Sequence, residues 1–425
     1  MFPERSVGSR VKYLLASPRR WMMIAFAFLA TTINYLDRQS LSVAAPLLRV
    51  QFHMSDVGYS RILFAFLLAY TVMNGLSGIM IDRLGTRIGY AVFVGWWSLS
   101  SLLQCFANST FSLGAFRFLL GLGEAGNWPA AAKLVAEWFP SEERSLASGL
   151  FNSGSAAGAI LAPPLIVLLV LRFGWRASFA CVSFLGFVWL IGWLLFSTPP
   201  PNADSTAKRS VRPSIRSIVR SRFTATFTVS KVFIDPVWYF YTFWFPEYLV
   251  NGRHESLSFV GHYAWIPFLV AGAGSAVGGF LSKGFLRCHL SLTNARKAAV
   301  TLSCGMMAMA ILAVRVDSVM FCIALISIAM AGYTAALANM LPMPADVFPS
   351  DSVASVYGIA SMGSGFGGMI FMLVTGWLVQ WFSYGPAFVL FALLPFIGVA
   401  VQWLFMGPLS QTVISSQKEP SILHE

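Results

Sequence analysis

The chain has 425 residues, 57% of them hydrophobic and only 11% charged, with a mean hydropathy of +0.69 and a formal net charge of +12. A soluble domain averages about 25% charged residues, so an ordinary water-soluble core is excluded. The basic residues lie in short connections between apolar runs rather than in one patch, which points away from nucleic acid and toward a lipid bilayer.

The first element is a basic N-terminal segment, residues 1–21. Arg19 and Arg20 precede an apolar run, and Val43-Ala44-Ala45 imitates a signal cleavage site. That run is too long and carries Asp37-Arg38 ahead of the small residues, so it reads as an uncleaved first span. Crossing a ~30 Å hydrocarbon layer takes about 20 apolar residues. Twelve such windows fall at 22–45, 57–80, 88–107, 111–133, 145–170, 176–197, 226–250, 261–282, 296–314, 318–341, 353–377 and 384–407. The longest polar stretch, from Pro199 to Arg222, is a linker with one short surface helix expected in it. The chain therefore divides into an N-terminal six-helix bundle (22–197), a linker (198–225), a C-terminal six-helix bundle (226–407) and a tail (408–425).

With the N-terminus inside, the inner segments hold 19 lysines and arginines and the outer loops six (Arg49, Arg61, Arg172, Arg176, Arg253 and Arg315). Such an imbalance over short loops sets orientation, so both termini, the linker and the tail are expected in the cytoplasm. Small residues recur at four-residue spacing, as in Gly149-x3-Ser153-x3-Ala157, Gly154-x3-Gly158, Gly274-x3-Gly278 and Gly363-x3-Gly367. They let helices approach closely and suit contacts that slide. The five cysteines show no CxxC and no regular spacing, so neither a metal site nor a redox site nor any cofactor is expected.

Ionisable groups at membrane depth cost about 2.5–3.5 kcal/mol each on insertion scales and usually face a cavity and a partner. Four stand out. Asp37 and Arg38 lie near the outer end of the first run, and Arg117 and Glu124 lie within the fourth. Seven residues apart, Arg117 and Glu124 share one helix face, which Asn127 and Trp128 extend. Two carboxylates and two guanidinium groups suit a site that binds an anion and carries a proton. Static ion pairs within each couple, Asp37–Arg38 and Arg117–Glu124, are the structural alternative.

After the second run comes Gly78-x3-Asp82-Arg83-x-Gly85-x-Arg87, glycines for a tight turn and charges for a network with neighbouring helix ends. Between spans two and three of twelve, it resembles the signature loop of the major facilitator superfamily. Further stretches carry the resemblance to the anion:cation symporter family. They are Asn34-Tyr35-Leu36-Asp37-Arg38, Arg117 with Gly121-Leu-Gly-Glu124-Ala-Gly-Asn127-Trp128-Pro129, and Glu137-Trp138-Phe139-Pro140. Asp235-Pro236-Val237-Trp238-Tyr239-Phe240 and Trp244-Phe245-Pro246-Glu247-Tyr248-Leu249 look like its bacterial hexuronate transporters. The resemblance runs from about residue 20 to 407. It implies an all-α integral membrane protein of twelve transmembrane helices in two six-helix bundles, with spans one, four, seven and ten around a central cavity. It also implies a gating role for Gly78, Asp82, Arg83, Gly85 and Arg87. Arg117 is matched to substrate and Glu124 to the proton, and Asp37 and Arg38 match a pair tied to coupling and anion binding.

No histidine lies deep in a run (His53, His254, His262, His289 and His424), so Asp37 and Glu124 are the proton-coupling candidates. Their hold on a proton depends on arginine partners that a substrate carboxylate can draw away. Arg38 and Arg117 suit the carboxylate, and Tyr35, Tyr70, Asn127, Asn152 and Ser155 supply polar contacts to a sugar. Trp238, Tyr239, Tyr241 and Trp244 form an aromatic cluster that suits either ligand contact or packing. Asp235 reads as a third titrating group or as a cap for backbone freed by Pro236. Gly121-x-Gly123-x2-Gly126 matches a dinucleotide fingerprint, but it lies inside an apolar helix rather than between a strand and a soluble helix, so nucleotide binding is set aside.

The leading expectation is proton-coupled uptake of a sugar acid, a hexuronate such as galacturonate or glucuronate, across the inner membrane by a monomer. Symport of another organic anion (aldonate or aldarate) is an alternative. So is efflux by antiport, since Gly149-x8-Gly158-x3-Ala162-Pro163 partly matches an antiporter signature. A membrane sensor finds no appended domain to support it. An enzyme is not expected, with no clustered metal ligands and no nucleophile beside a base.

Overall fold

A computed structural model describes residues 18–139, 143–198, 215–348 and 350–409. Most of the N-terminal segment, the linker from 199 to 214, Pro140 and the tail from 410 lie outside the described residues. Among the described residues all regular structure is helical.

Every one of the twelve apolar runs falls on helix. The N-terminal half contains α1 (Pro18–Gln51), α2 (Asp56–Leu84), α3 (Thr86–Leu103), α4 (Thr110–Glu124), α5 (Asn127–Trp138) and α6 (Arg144–Phe196). The short linker helix is α7 (Ile215–Arg220). The C-terminal half contains α8 (Arg222–Ile234), α9 (Pro236–Glu247), α10 (Leu257–Tyr263), α11 (Ile266–Arg287), α12 (Leu292–Ala308), α13 (Ala310–Ala313), α14 (Val319–Met340), α15 (Met343–Val347), α16 (Ser350–Trp381) and α17 (Tyr384–Phe405). Among the described residues, eight helical stretches are long and apolar enough to cross a membrane by length and composition. One of them, 147–196, bends at Gly174 (φ 81°) and covers the fifth and sixth runs. The runs that miss this measure are α1, which carries buried charge, and two runs that are broken, α4/α5 and α8/α9.

Both breaks follow from proline. Pro129 has no N–H to give Ala125, and the freed carbonyl accepts from the Ser77 hydroxyl instead (3.2 Å). Glu124 thus ends α4 at an opened turn. Pro236 likewise begins α9 directly after Asp235. Serines cap many of the remaining starts: Ser55 accepts from Gly58, and Ser109 forms a reciprocal capping box with Ser112.

Small residues hold the helices together at matching places in the two halves. Gly154 and Gly158 of α6 lie against the backbone of Phe28 and Thr32 on α1. Gly363 and Gly367 of α16 lie in the same way against Thr228 and Val232 on α8. Gly274 and Gly278 of α11 meet Ala331 and Ala335 of α14, and Gly121 of α4 meets Phe66 of α2. A Cβ at any of these would press on backbone, so three of the repeats read from the sequence are packing seams. Gly149 is different, with open space around it.

The two halves meet along α2 and α16, where Gly376 lies on Ser60 and Gly365 on Thr71. At the end distal to Pro18, Tyr59 donates to the Phe243 carbonyl (2.8 Å) and the Val57 N–H to Gln380 (3.1 Å). Arg49 bridges Asp56 (2.7 Å) and the buried Glu247 there. At the end bearing Pro18, the ion pairs Arg20–Glu143, Asp82–Lys133 and Arg296–Asp346 each stay within one half. The interface is closed at one end.

Candidate functional site

Residues 30–46 of α1 are buried without interruption, so this helix is central rather than lipid-facing. Asp37 and Arg38 therefore sit at mid-helix, deep in the protein. The expectation that they lie near the outer end is corrected, because α1 continues as helix to Gln51.

The four charges pair across helices, not within them. Arg38 Nε donates to Glu124 Oε2 at 2.7 Å, joining α1 to the end of α4. The Arg38 guanidinium also lies 4.4 Å from the Tyr70 ring centre and 5.4 Å from that of Tyr35. Arg117 Nη1 donates to the backbone carbonyl of Asp37 at 3.2 Å, and the Asp37 carboxylate accepts from Ser101 on α3. Neither same-helix couple proposed from the sequence forms. Arg117 and Glu124 instead both reach the same turn of α1, Arg117 at the backbone of Asp37 and Glu124 at the side chain of Arg38.

Each of the four retains unused capacity. Asp37 Oδ2, Arg38 Nη2, Glu124 Oε1 and both Nε and Nη2 of Arg117 are buried without a protein partner. Buried polar atoms are ordinarily satisfied, by water if not by protein. A cluster with this many open valences is built to take further hydrogen-bonding groups.

The other first-half candidates divide. Tyr35 and Tyr70 flank Arg38, with Trp238 of the second half beside the Tyr35 hydroxyl. Asn127 is fully buried, accepting from Tyr90 (2.8 Å) and donating to Thr31 (3.0 Å), which ties α5 to α3 and α1. Ser155 donates to the backbone carbonyl of Asn152 (2.7 Å), and Asn152 is exposed. These last three are not among the groups around Arg38.

From the second half, Trp238 stacks on Tyr333 (5.4 Å, 26°), and the Tyr239 hydroxyl meets Ser364 at 3.5 Å. Tyr241 and Trp244 turn elsewhere, Tyr241 into Phe240 and Phe388 and Trp244 onto Tyr59 and Tyr384. Asp235 makes no side-chain cap to α9. It pairs with Lys231 one turn earlier (2.6 Å) and accepts from Tyr333 (3.4 Å), so the capping reading is removed. Lys231 is not among the sequence candidates, and its signal is a lysine inside an apolar run with Asp235 four residues on.

In the loop after α2, Gly85 has φ 78°, a value glycine adopts without strain, and its N–H closes the helix on Ile81. Asp82 pairs with Lys133 of α5 (2.9 Å). Arg87 donates to the Leu194 carbonyl and to Ser197, fastening α3 to the end of α6. Arg83 is exposed on the last turn of α2, and the space around Gly78 is open. In the second half the comparable ion pair, Arg296–Asp346 (2.8 Å), joins α12 to α15. The GxGxxG stretch is a packing feature, with Gly121 on Phe66, Gly123 on Trp97 and Gly126 on Phe93.

The chain matches the family profile described as Major Facilitator Superfamily over residues 27–293 and 290–423. It is 30% identical to the hexuronate transporter of Escherichia coli K12 over 428 residues, covering 95% of this chain and 98% of that protein. It is 33% identical to the galacturonate transporter of Dickeya chrysanthemi, covering 68% of this chain and 89% of that one. The D-galactonate transporter of Escherichia coli O6:H1 is 25% identical, with 92% and 96% covered. Among solved structures, a bacterial homologue of the human lysosomal transporter Spinster, inward-facing and unoccupied, superposes with a TM-score of 0.75 at 18% identity. It covers 96% of this chain and 100% of that one.

Proposed function

This chain belongs to the Major Facilitator Superfamily, and on that premise we propose that it imports a sugar acid together with protons across the inner membrane. The substrate class is a hexuronate such as galacturonate or glucuronate. The observation that carries this is the buried Arg38–Glu124 pair with its open donor and acceptor, lying between two halves that are closed at one end. Relatives named for hexuronate and galacturonate, at 30% and 33% identity, point to the same chemistry.

In the sequence the inner segments hold 19 lysines and arginines against six in the outer loops, so the end bearing Pro18 is the inner one. Twelve spans result, in two bundles of 22–197 and 226–407 joined by the linker, with both termini cytoplasmic. The closed end is then the outer one, sealed by Arg49, Asp56 and Glu247.

A substrate carboxylate takes the planar guanidinium of Arg38, which suits it better than a point charge does. Glu124 loses its partner and becomes free to hold a proton. Asp37, supported by Ser101, offers a second carboxylate beside Arg117. Anion and proton thereby occupy the cavity together, and the halves rock around them while the outer ion cluster breaks and reforms. The working unit in this reading is a monomer, with Arg38, Glu124 and the second-half Trp238 supplied by one chain.

The test is uptake of labelled galacturonate, galactonate and glucarate into liposomes holding the purified protein, with an imposed proton gradient. Accumulation of galacturonate above the other two supports the reading. Accumulation of galactonate alone moves it to aldonates, the class named for the 25% identical relative. Accumulation of none removes it, and exit driven by the same gradient reverses the direction.

A further inference from the structure

Lys231 and Asp235 form an ion pair in the middle of the broken α8/α9 helix, 2.6 Å apart and each about 3% exposed. The Asp235 carboxylate does not cap the helix at the proline break. The Lys231 ammonium lies 5.5 Å from the Tyr357 ring centre. Tyr357 and Tyr239 are in turn within electrostatic reach of Tyr70, the ring beneath Arg38. Tyr333, which bonds Asp235, stacks on Trp238, and Trp238 touches Tyr35. The two charged couples, one from each half, are thus linked through the same group of aromatic side chains. Discontinuous helices at mid-membrane are where transporters of several folds hold their substrates.

We propose that the Lys231–Asp235 pair reads the hydroxyl-bearing end of the substrate and restricts the cavity to sugar acids with one carboxylate. The proposal rests on the sugar-acid reading above and deepens it. An ammonium has three donors and Asp235 takes one of them. A donor and an acceptor side by side match two neighbouring hydroxyls: Lys231 donates to one oxygen, and Asp235 accepts from the next hydroxyl. The couple carries no net charge. With the single carboxylate on Arg38, a second carboxylate at this pole would find the Lys231 cation already neutralised and a like charge beside it. Rejection by a like charge is an effective device for specificity. Asp235 is therefore the residue that keeps dicarboxylates out.

The experiment measures binding of galacturonate and glucarate by calorimetry to the purified full chain, with the melting temperature of each variant recorded. The proteins are the parent chain, Asp235→Asn and the double variant Lys231→Gln/Asp235→Asn. The parent is expected to favour galacturonate. Asp235→Asn frees the lysine charge and is expected to shift the galacturonate-to-glucarate affinity ratio toward glucarate by about tenfold or more. The double variant removes both charges, so no unpaired ion is left buried. It is expected to melt as the parent does, to lose about tenfold or more in galacturonate affinity, and to gain nothing for glucarate.

A double variant that binds galacturonate like the parent makes the pair structural and overturns the proposal. So does a folded Asp235→Asn with an unchanged ratio, or a parent that prefers glucarate. If Asp235→Asn does not fold, the double variant decides alone. A parent that binds neither acid removes the sugar-acid reading itself, an outcome distinct from a parent that binds and variants that match it.

Discussion

Arg38 and Glu124 come from helices whose residues stand 86 apart in the chain, and they meet at 2.7 Å with both side chains sealed in the interior. The bond uses one nitrogen and one oxygen, leaving Arg38 Nη2 and Glu124 Oε1 open. An arriving carboxylate finds a donor ready before the existing bond is broken. That makes exchange of one anion for another gradual, without a stage at which either charge is left buried and alone.

Arg38→Lys tests whether this geometry matters beyond charge. The guanidinium lies over Tyr70 at 4.4 Å while bonding Glu124, and a lysine, a compact point charge on a flexible stem, lacks the planar fork that does both and still offers a donor to a carboxylate. Affinity for galacturonate is expected to fall by about tenfold or more. Calorimetry on the folded variant checks this, and an unchanged affinity makes Arg38 a structural ion.

The outer seal gives a second expectation. Arg49 serves Asp56 and Glu247 together, and Glu247 also accepts from Asn251 at 2.5 Å. In Arg49→Gln/Glu247→Gln the ionic tie between halves is gone and no charge is stranded. Ser60, covered by Gly376, then becomes a reporter: a cysteine placed there in a cysteine-free background is expected to react several-fold faster with a membrane-impermeant thiol reagent. Equal rates with and without the Arg49–Glu247 tie leave the closed end held by the α2–α16 seam and the Tyr59–Phe243 bond.

A third concerns packing. A Cβ on Gly158 would strike Tyr35 and the Thr32 backbone, whereas one on Gly149 of the same helix meets nothing within 4 Å. Gly158→Ala is expected to lower stability by roughly 1–3 kcal/mol through overpacking. Gly149→Ala is expected to be neutral or to add up to about 1 kcal/mol from helix propensity. Thermal unfolding in detergent separates them, and equal melting temperatures refute the seam.

The fold was legible because hydropathy, span length and small-residue spacing are local properties of the chain. The charged residues of the site were legible for a related reason, since Asp37, Arg38, Arg117 and Glu124 stand out against apolar neighbours. Their partners were not. Whether Arg117 meets Glu124 or Asp37 depends on the rotation of α4 against α1, and the same seven-residue spacing serves either. Asn127 shows the same gap, because a polar residue at a helix break reads alike whether it faces a cavity or, as here, Tyr90 and Thr31. Lys231 escaped notice because a lysine five residues into a run resembles one that snorkels to the surface. Asp235, four residues on, was the signal that it does not.

The last expectation concerns Glu124 and separates binding from coupling. Glu124→Gln keeps the side chain's volume and an oxygen to accept from Arg38 Nε, so the α1–α4 contact survives. It cannot release a proton. If Glu124 carries the coupled proton, the variant loses uphill accumulation of galacturonate driven by a pH gradient. It retains binding and counterflow exchange, because neither needs net proton movement. Full pH-driven accumulation in the variant moves the role to Asp37, whose Oδ2 is equally open, and the same measurement on Asp37→Asn then decides. Loss of binding and counterflow together identifies Glu124 as the anchor of Arg38. In that case the Arg38–Glu124 bond has to persist through the cycle, and the substrate carboxylate binds at the open Nη2 of Arg38 and the two open nitrogens of Arg117.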